Sequence, residues 1–428
     1  MRFAKPLRRL VFLWALSLTA CAGDAAMETE PRTFETRAAD LAREQFRAAL
    51  LDPAGPVDAD LAAFAAAPPP EAEPLLDEDG RQIVLHGANY MGMEFGWFGH
   101  APEDFERMVS WGFNVVRLPI AWRYLEPDEG VYDADYLIDH VEPTIDAASA
   151  AGLRVILDMH QWKWSPCCGG NGAPEWTCDD PTGGDYDWLR QATLFWDHPE
   201  YLDHFVDAWE MVAEYFADDD RIWGYDLWNE PQGGLRTIPW TFDNGLLRPL
   251  YVRFIEAIRA HHAEPFILFE PNIIHVVGIP FVMDPLPYDR LIYAPHNYPL
   301  NTGDGGDYLV SKVGIRRQIE RLARDAADHG VPYLLGETGV TSGSSRAEDF
   351  SARQHRGVRR AHDEFHVVGL LARQLELRAA RWGGRRKRAL SELFIPPLPD
   401  GHGGAVTRLR VRPGVALFRR DFSQCAGA

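Results

Sequence analysis

From Leu75 onward, short apolar runs bounded by polar or turn residues alternate with longer stretches in which apolar residues recur every three or four positions. The short runs predict strands at Ile83–Leu85, Val115–Leu118, Arg154–Met159, Ile222–Leu227, Phe266–Glu270, Leu291–Ala294 and Tyr333–Leu335. The longer stretches predict amphipathic helices, Tyr201–Phe216 and Val310–His329 among them. Ahead of the first strand, Leu75-Leu76-Asp77-Glu78-Asp79-Gly80 reads as a turn-rich hairpin. Alternation of this kind gives a parallel sheet, either closed as a (β/α)8 TIM barrel or open and doubly wound. The barrel is preferred, because polar and chemically capable residues follow almost every strand, as they must when loops converge on one mouth. One strand of eight has no obvious run; its nearest candidate is His366–Leu371.

The N-terminal residues follow a different pattern. Arg2, Lys5, Arg8 and Arg9 precede the apolar stretch Leu10–Leu18, the layout of an export signal too short to span a bilayer. Leu18-Thr19-Ala20-Cys21 resembles a bacterial lipobox, so residues 1–20 are expected to be a lipoprotein signal peptide with Cys21 as the lipidated N-terminus. An ordinary cleaved signal is the competing reading; both place the protein outside the cytoplasm. The preferred location is anchored at the outer membrane or cell surface. Residues 21–75, with the Ala/Pro run Ala65–Pro74, read as a tether carrying one short helix near Ala38–Leu51. The barrel is assigned to residues 76–345 and a basic, anomalous C-terminal region, which supplies or replaces the eighth strand, to residues 346–428.

Export permits disulfides. Cys167 or Cys168 could pair with Cys178; a zinc site competes, but no His lies at ligand spacing within that loop. The formal net charge of −20 argues against nucleic acid as a partner. That charge is unevenly distributed: from Phe350 onward there are 16 Lys/Arg against 6 Asp/Glu, whereas the preceding residues carry 27 against 57.

The strand ends carry the candidate chemistry. In order they are Arg117, Asp158-Met159-His160-Gln161, Trp228-Asn229-Glu230-Pro231, His296-Asn297-Tyr298 and Gly336-Glu337-Thr338. In a barrel these side chains gather at the C-terminal mouth, where Glu230 and Glu337 would face each other. Two facing carboxyl groups are what glycosidic cleavage requires, one to protonate the leaving oxygen and one to attack the anomeric carbon. No phosphate-cradling loop, serine nucleophile elbow or paired-His zinc motif is present, so neither cofactor nor metal is expected. Asn301–Asp307 lacks full calcium-ligand spacing and reads as a polar loop. Trp97, Trp122, Trp162, Trp164 and Trp176 fall near strand ends; each singly suggests packing, and at least two are expected to line the cleft.

Together, Val116-Arg117-Leu118-Pro119, Met159-His160, Trp228-Asn229-Glu230-Pro231, His296-Asn297-Tyr298 and Gly336-Glu337 resemble glycoside hydrolase family 5, of the clan with both catalytic glutamates on strands four and seven. The resemblance runs from about Leu76 to Gly339. It implies Glu230 as general acid/base, Glu337 as nucleophile and Asn229 as the amide on the sugar 2-hydroxyl. It also implies Arg117 and Tyr298 as hydrogen-bond donors to Glu337, with His160 and His296 lining the subsite of the cleaved sugar. Within the family, His160-Gln161, Gly169–Trp176, Gly224–Pro231 and Ala294–Pro299 resemble the endoglycosylceramidases, which release glycans from glycosphingolipids. There are two departures: Trp162 stands where an Asp is usual, and no Lys follows the first strand in Asn89–Met93. Carbohydrate or glycolipid is therefore the expected substrate, with Trp162 stacking on it. A β-1,4-glucanase, or an inactive sugar- or lipid-surface-binding protein, remains the alternative, and a monomer is expected.

Family members place a Trp on the eighth strand, and the only Trp after Trp240 is Trp382, in an Arg/Gly-rich context. Shifting the reading frame by one base converts codons permitted for Leu370-Leu371-Ala372 into Tyr-Trp, and those for Arg373–Leu377 into Gly-Ser-Trp-Ser-Tyr. The C-terminal region is on this reading a frameshifted remnant, and the barrel should close poorly between its seventh and first strands.

Overall fold

The computed structural model describes residues 75–76, 80–181, 184, 187–298, 312–339 and 367–372. The strands are β1 (Leu85–Asn89), β2 (Val115–Ile120), β3 (Arg154–Met159), β4 (Ile222–Asp226), β5 (Phe266–Phe269), β6 (Leu291–Tyr293), β7 (His296–Asn297), β8 (Tyr333–Thr338) and β9 (Val367–Ala372). Between them run α1 (Pro102–Ser110), α2 (Glu142–Ala150), α3 (Asp187–Phe195), α4 (Pro199–Tyr215), α5 (Arg248–His261) and α6 (Lys312–Asp328). In α4, Phe205, Ala208, Trp209, Val212 and Ala213 are buried, the three- and four-residue spacing that the sequence displays.

All pairings between these strands are parallel, in the order β6-β5-β4-β3-β2-β1-β9-β8-β7, and Tyr293 of β6 pairs with Tyr333 of β8 to complete the ring. β6 and β7 are one barrel position interrupted at Ala294-Pro295, where proline supplies no N–H to a ladder. The fold is an eight-position (β/α)8 barrel. β1 begins later than Ile83, because Ile83 N–H is taken by Leu75 O (2.8 Å) in the hairpin that Leu76 and Gln82 bridge.

One expectation is corrected at the eighth position. Val367–Ala372 pairs with β1 through Leu85↔Gly369 to Ala88↔Ala372, and with β8 through Tyr333↔Val367 to Thr338↔Ala372. The eighth strand thus comes from the C-terminal region, at the nearest candidate His366–Leu371, and the expected poor closure between the seventh and first strands is not found among the described residues. The reason is that Val-Val-Gly-Leu-Leu-Ala is an apolar run able to sit between two parallel neighbours despite its surroundings. The signal, Cys21, the tether up to Pro74, Asn301–Asp307 and Trp382 lie outside the described residues.

Candidate active site

Strand alternation sorts the barrel interior into storeys. Leu75, Leu85, Val115, Ile156, Leu268, Ile292 and Leu334 form a buried apolar group. Two positions further along their strands come Arg117, Asp158 and Glu270, and Asp226 ends β4; all four are buried. A charged layer therefore rests on an apolar floor, at the ends of the strands where the loops begin.

Arg117 organises that layer. Its Nε donates to Asp226 Oδ2 (2.8 Å), Nη1 to Asn89 Oδ1 (2.9 Å) and Glu337 Oε1 (3.1 Å), and Nη2 to Asn229 Oδ1 (3.1 Å) and Glu270 Oε1 (2.9 Å). Asp158 Oδ1 completes the set as an ion pair 2.9 Å from Nη2. Burial opposes the guanidinium charge, but Asp158, Asp226, Glu270 and Glu337 outweigh it and hold Arg117 well above its ordinary value. Burial has the opposite consequence for the acids: it pushes Asp226 up to about 6 against the pull of Arg117.

Glu337 is buried at the end of β8, with Tyr298 OH donating to Oε2 (2.7 Å) and Arg117 to Oε1. Both partners favour the carboxylate over the acid. Gly336 makes the approach possible: a Cβ there would stand 2.7 Å from Ala294 O and 3.2 Å from the His296 ring. Opposite, Glu230 Oε1 lies 3.0 Å from His296 Nδ1. One carboxylate oxygen each of Glu230 and Glu337, with a ring nitrogen of His296, lie within 4.8 Å of one another. That bound lies nearer the about 5–5.5 Å of double displacement than the about 6.5–9.5 Å that leaves room for water. These atoms are already engaged with one another and with Tyr298, and Arg117 adds positive charge beside them, so the donor set suits hydrogen bonding better than a cation.

Glu230 has φ +48°, in the left-handed region where a side chain is strained. Its backbone is secured on both sides: its N–H donates to Glu270 Oε2 (2.9 Å), and its C=O accepts from Gln161 Nε2 (2.8 Å). Gln161 Nε2 also reaches Asn229 O (3.0 Å), and Asn229 Nδ2 returns to Gln161 O (3.0 Å). The Asn229 amide is thus held by Arg117 and Gln161 at once.

The remaining expected residues divide. His160 is buried with Nδ1 2.7 Å from Asp158 Oδ2; burial works against its protonation, and Asp158 reverses the balance and raises it. Trp162 stands apart from the buried cluster, 41% exposed, with Lys163 Nζ 4.4 Å from its ring centroid. Trp97 is 54% exposed, whereas Trp122 and Trp164 are core residues and Trp176 packs edge-on against Trp122. The disulfide joins Cys167 to Cys178 and leaves Cys168 as a thiol pushed up to about 11, chiefly by burial.

Sequence reasoning missed Glu270 and Glu94. Glu270 was legible only as the last residue of an expected strand. Glu94 lies in a loop turn, fully buried, accepting Gly92 N–H on Oε2 (2.7 Å), while Oε1 has no partner among the described residues. Burial pushes its carboxyl up to about 7.

A closed barrel with two facing carboxylates at the C-terminal mouth, one held by an arginine and a tyrosine, defines a glycoside-cleaving architecture. Residues 76–363 match the family described as Cellulase (glycosyl hydrolase family 5), and the chain belongs to that family. Endoglycoceramidase I of Rhodococcus hoagii (strain 103S) is 30% identical over 253 residues, covering 52% of this chain and 51% of the relative; the chain thus spans about half that relative's length. The solved Endo-glycoceramidase II from Rhodococcus sp., in its five-membered iminocyclitol complex, superposes with a TM-score of 0.62 at 32% identity, covering 70% of this chain and 75% of that one. The ganglioside GM3 complex of the Rhodococcus sp. enzyme gives a TM-score of 0.62 at 30% identity, covering 77% and 79%.

Proposed function

We propose that this protein is a retaining β-glycoside hydrolase of endoglycosylceramidase type, acting on glucosylated lipids or related β-glucosides. The observation that carries the reading is the Glu230–Glu337 pair within 4.8 Å, with Arg117 and Tyr298 hydrogen-bonded to Glu337. Asymmetric surroundings assign the roles. Glu337, kept ionised, attacks the anomeric carbon while Glu230 protonates the departing oxygen; Glu230 then takes a proton from the water that releases the glycosyl-enzyme. His160, His296 and Asn229 border the bound sugar, and the exposed face of Trp162 meets the substrate further out. The likeness to Rhodococcus endoglycoceramidases supports a glycolipid, and Cys21 behind its lipobox-like sequence supports a membrane-anchored protein working at the surface where such lipids reside.

The test is product analysis. Purified protein incubated with glucosylceramide, lactosylceramide and ganglioside should release the intact glycan and ceramide. Release of oligosaccharides from soluble β-1,4-glucan alone would replace this reading with the glucanase alternative. No turnover of any of these or of an activated aryl β-glucoside would leave the inactive binding protein.

A further inference from the structure

We propose that Glu270, at the end of β5, is a positioning residue that acts on Glu230 through two routes, the Glu230 backbone and the His296 imidazole. The proposal rests on the reading of Glu230 as the acid/base and extends it to a residue which does not touch the sugar. Glu270 is buried, and its contacts converge from three strands or strand ends. Arg117 Nη2 donates to Oε1 at 2.9 Å, Glu230 N–H donates to Oε2 at 2.9 Å, and His296 Nε2 stands 3.1 Å from Oε1. The last is an ion-pair contact and not an aligned hydrogen bond, since His296 Nε2 has no hydrogen-bond partner among the described residues. On the far side of the same ring, Nδ1 lies 3.0 Å from Glu230 Oε1. Glu270, His296 and Glu230 therefore form a line of carboxylate, imidazole and carboxyl.

The backbone route concerns strain. Glu230 sits at φ +48°, a conformation costly for a side-chain-bearing residue, and the bond from its N–H to Glu270 is one of two that secure it. The imidazole route concerns charge. Burial opposes protonation of His296, but Glu270 is the foremost of the carboxylates that overcome it, ahead of Glu337, and the imidazole is held well above its ordinary value. Burial pushes the Glu270 carboxyl up to about 8, with Asp226 of β4 adding and His296 and Arg117 of β2 pulling it back, so the buried pair shares its charge; Glu230 after β4 and Glu337 of β8 also face it. With His296 charged, Nδ1–H donates to Glu230 Oε1 and leaves the other oxygen to carry the transferable proton. As the sugar C1–O bond breaks and the C1–O bond to Glu337 forms, that proton passes to the departing oxygen. The carboxylate left on Glu230 then faces an imidazolium N–H. Glu270, which shares a proton equilibrium with His296, holds the ring and the Glu230 N–H in this arrangement through both half-reactions.

The test uses full-length Glu270→Gln, which keeps the side chain's size and removes its charge. Against aryl β-glucosides of graded leaving-group pKa, the variant should lose roughly 10²-fold in kcat/KM for poor leaving groups and less than about threefold for 2,4-dinitrophenol, because acid assistance matters only for the former. An equal loss across the series would reduce Glu270 to a structural role and overturn the proposal. The second readout is ¹⁵N-histidine NMR of the wild-type protein, with the His296 resonance assigned by difference from His296→Gln. His296 should remain protonated on both nitrogens at pH 7.5, and Glu270→Gln should move its titration toward the ordinary histidine range. A wild-type His296 already neutral at pH 7.5 overturns the proposal even if Glu270→Gln fails to fold. If the wild type turns over no aryl glucoside, the glycosidase reading fails, and the NMR result decides the Glu270–His296 coupling on its own.

Discussion

Arg117 Nη1 lies 3.1 Å from Glu337 Oε1, although 220 positions separate the two residues in sequence. The same guanidinium meets Asn89, Asp158, Asp226, Asn229 and Glu270, so one side chain ties β1, β2, β3, β4, β5 and β8 together at the level of the chemistry. A lysine keeps the charge and loses the planar fork that serves several acceptors at once. Arg117→Lys should therefore lower kcat/KM by roughly 10²-fold or more, since the Glu337 carboxylate loses a preorganised donor. It should also destabilise the barrel, because a lysine leaves several of these buried acceptors without a donor, each costing about 1–3 kcal/mol. Kinetics on an aryl β-glucoside together with a thermal melt check both; an unchanged melting temperature would show that the network does not act as one unit.

The two carboxylates predict two different lesions. Glu337→Ala removes the attacking group, so turnover should vanish and return with azide as a glycosyl azide of inverted configuration. Glu230→Ala removes the proton donor, so hydrolysis of unactivated glucosides should fall about 10²–10⁴-fold while activated aryl glycosides still glycosylate Glu337. NMR of the azide product reads the configuration; a retained product from Glu337→Ala would exchange the two assignments.

Much of this site was legible because barrel geometry turns local order into spatial convergence. Arg117, Glu230, His296, Tyr298 and Glu337 each follow or end an apolar run, and parallel strands bring such positions to one mouth. Glu270 was equally well placed in Phe-Glu-Pro-Asn, but its significance lies in contacts from β2, β4 and β7 that no local pattern records. Glu94, in Gly-Met-Glu-Phe-Gly, looks like a solvated loop residue; its burial follows from the Gly92 turn, at φ 145°, that aims a backbone N–H at its carboxylate. The choice between Cys167 and Cys168 could not be made from spacing, since adjacent residues differ in direction and not in reach.

Glu94 gives a pH-dependent prediction. Its carboxyl is raised to about 7 in the folded protein from 4.5, chiefly by burial, with Asp158 adding and His160 opposing. The folded state therefore binds more protons than the unfolded chain between those values, and stability is lost as pH rises through the window. Glu94→Gln resembles the neutral acid and carries no such loss. Its melting temperature should match the wild type near pH 4.5 and exceed it increasingly up to about pH 8. A wild-type advantage growing with pH would show that the Glu94 charge is stabilised in the fold, contrary to its unpartnered oxygen.

The eighth strand supplies the last test, because sequence and structure pull apart there. The surrounding basic composition and the missing tryptophan suggested a remnant foreign to the barrel, yet Val367–Ala372 is paired on both sides. Leu370 sits in register with His86 of β1 and Leu335 of β8, in the interior of the sheet. Proline is tolerated at sheet edges but not there, since it removes a ladder N–H and imposes its own φ. Leu370→Pro should cost about 3 kcal/mol or more, seen as a lower melting temperature and faster exchange of the β1 and β8 amides. It should also reduce turnover, because β8 carries Glu337 and loses its neighbour. A variant that melts and turns over like the wild type would mean that the barrel does not depend on this strand. The basic C-terminal region would then stand as the unrelated segment that its composition suggests.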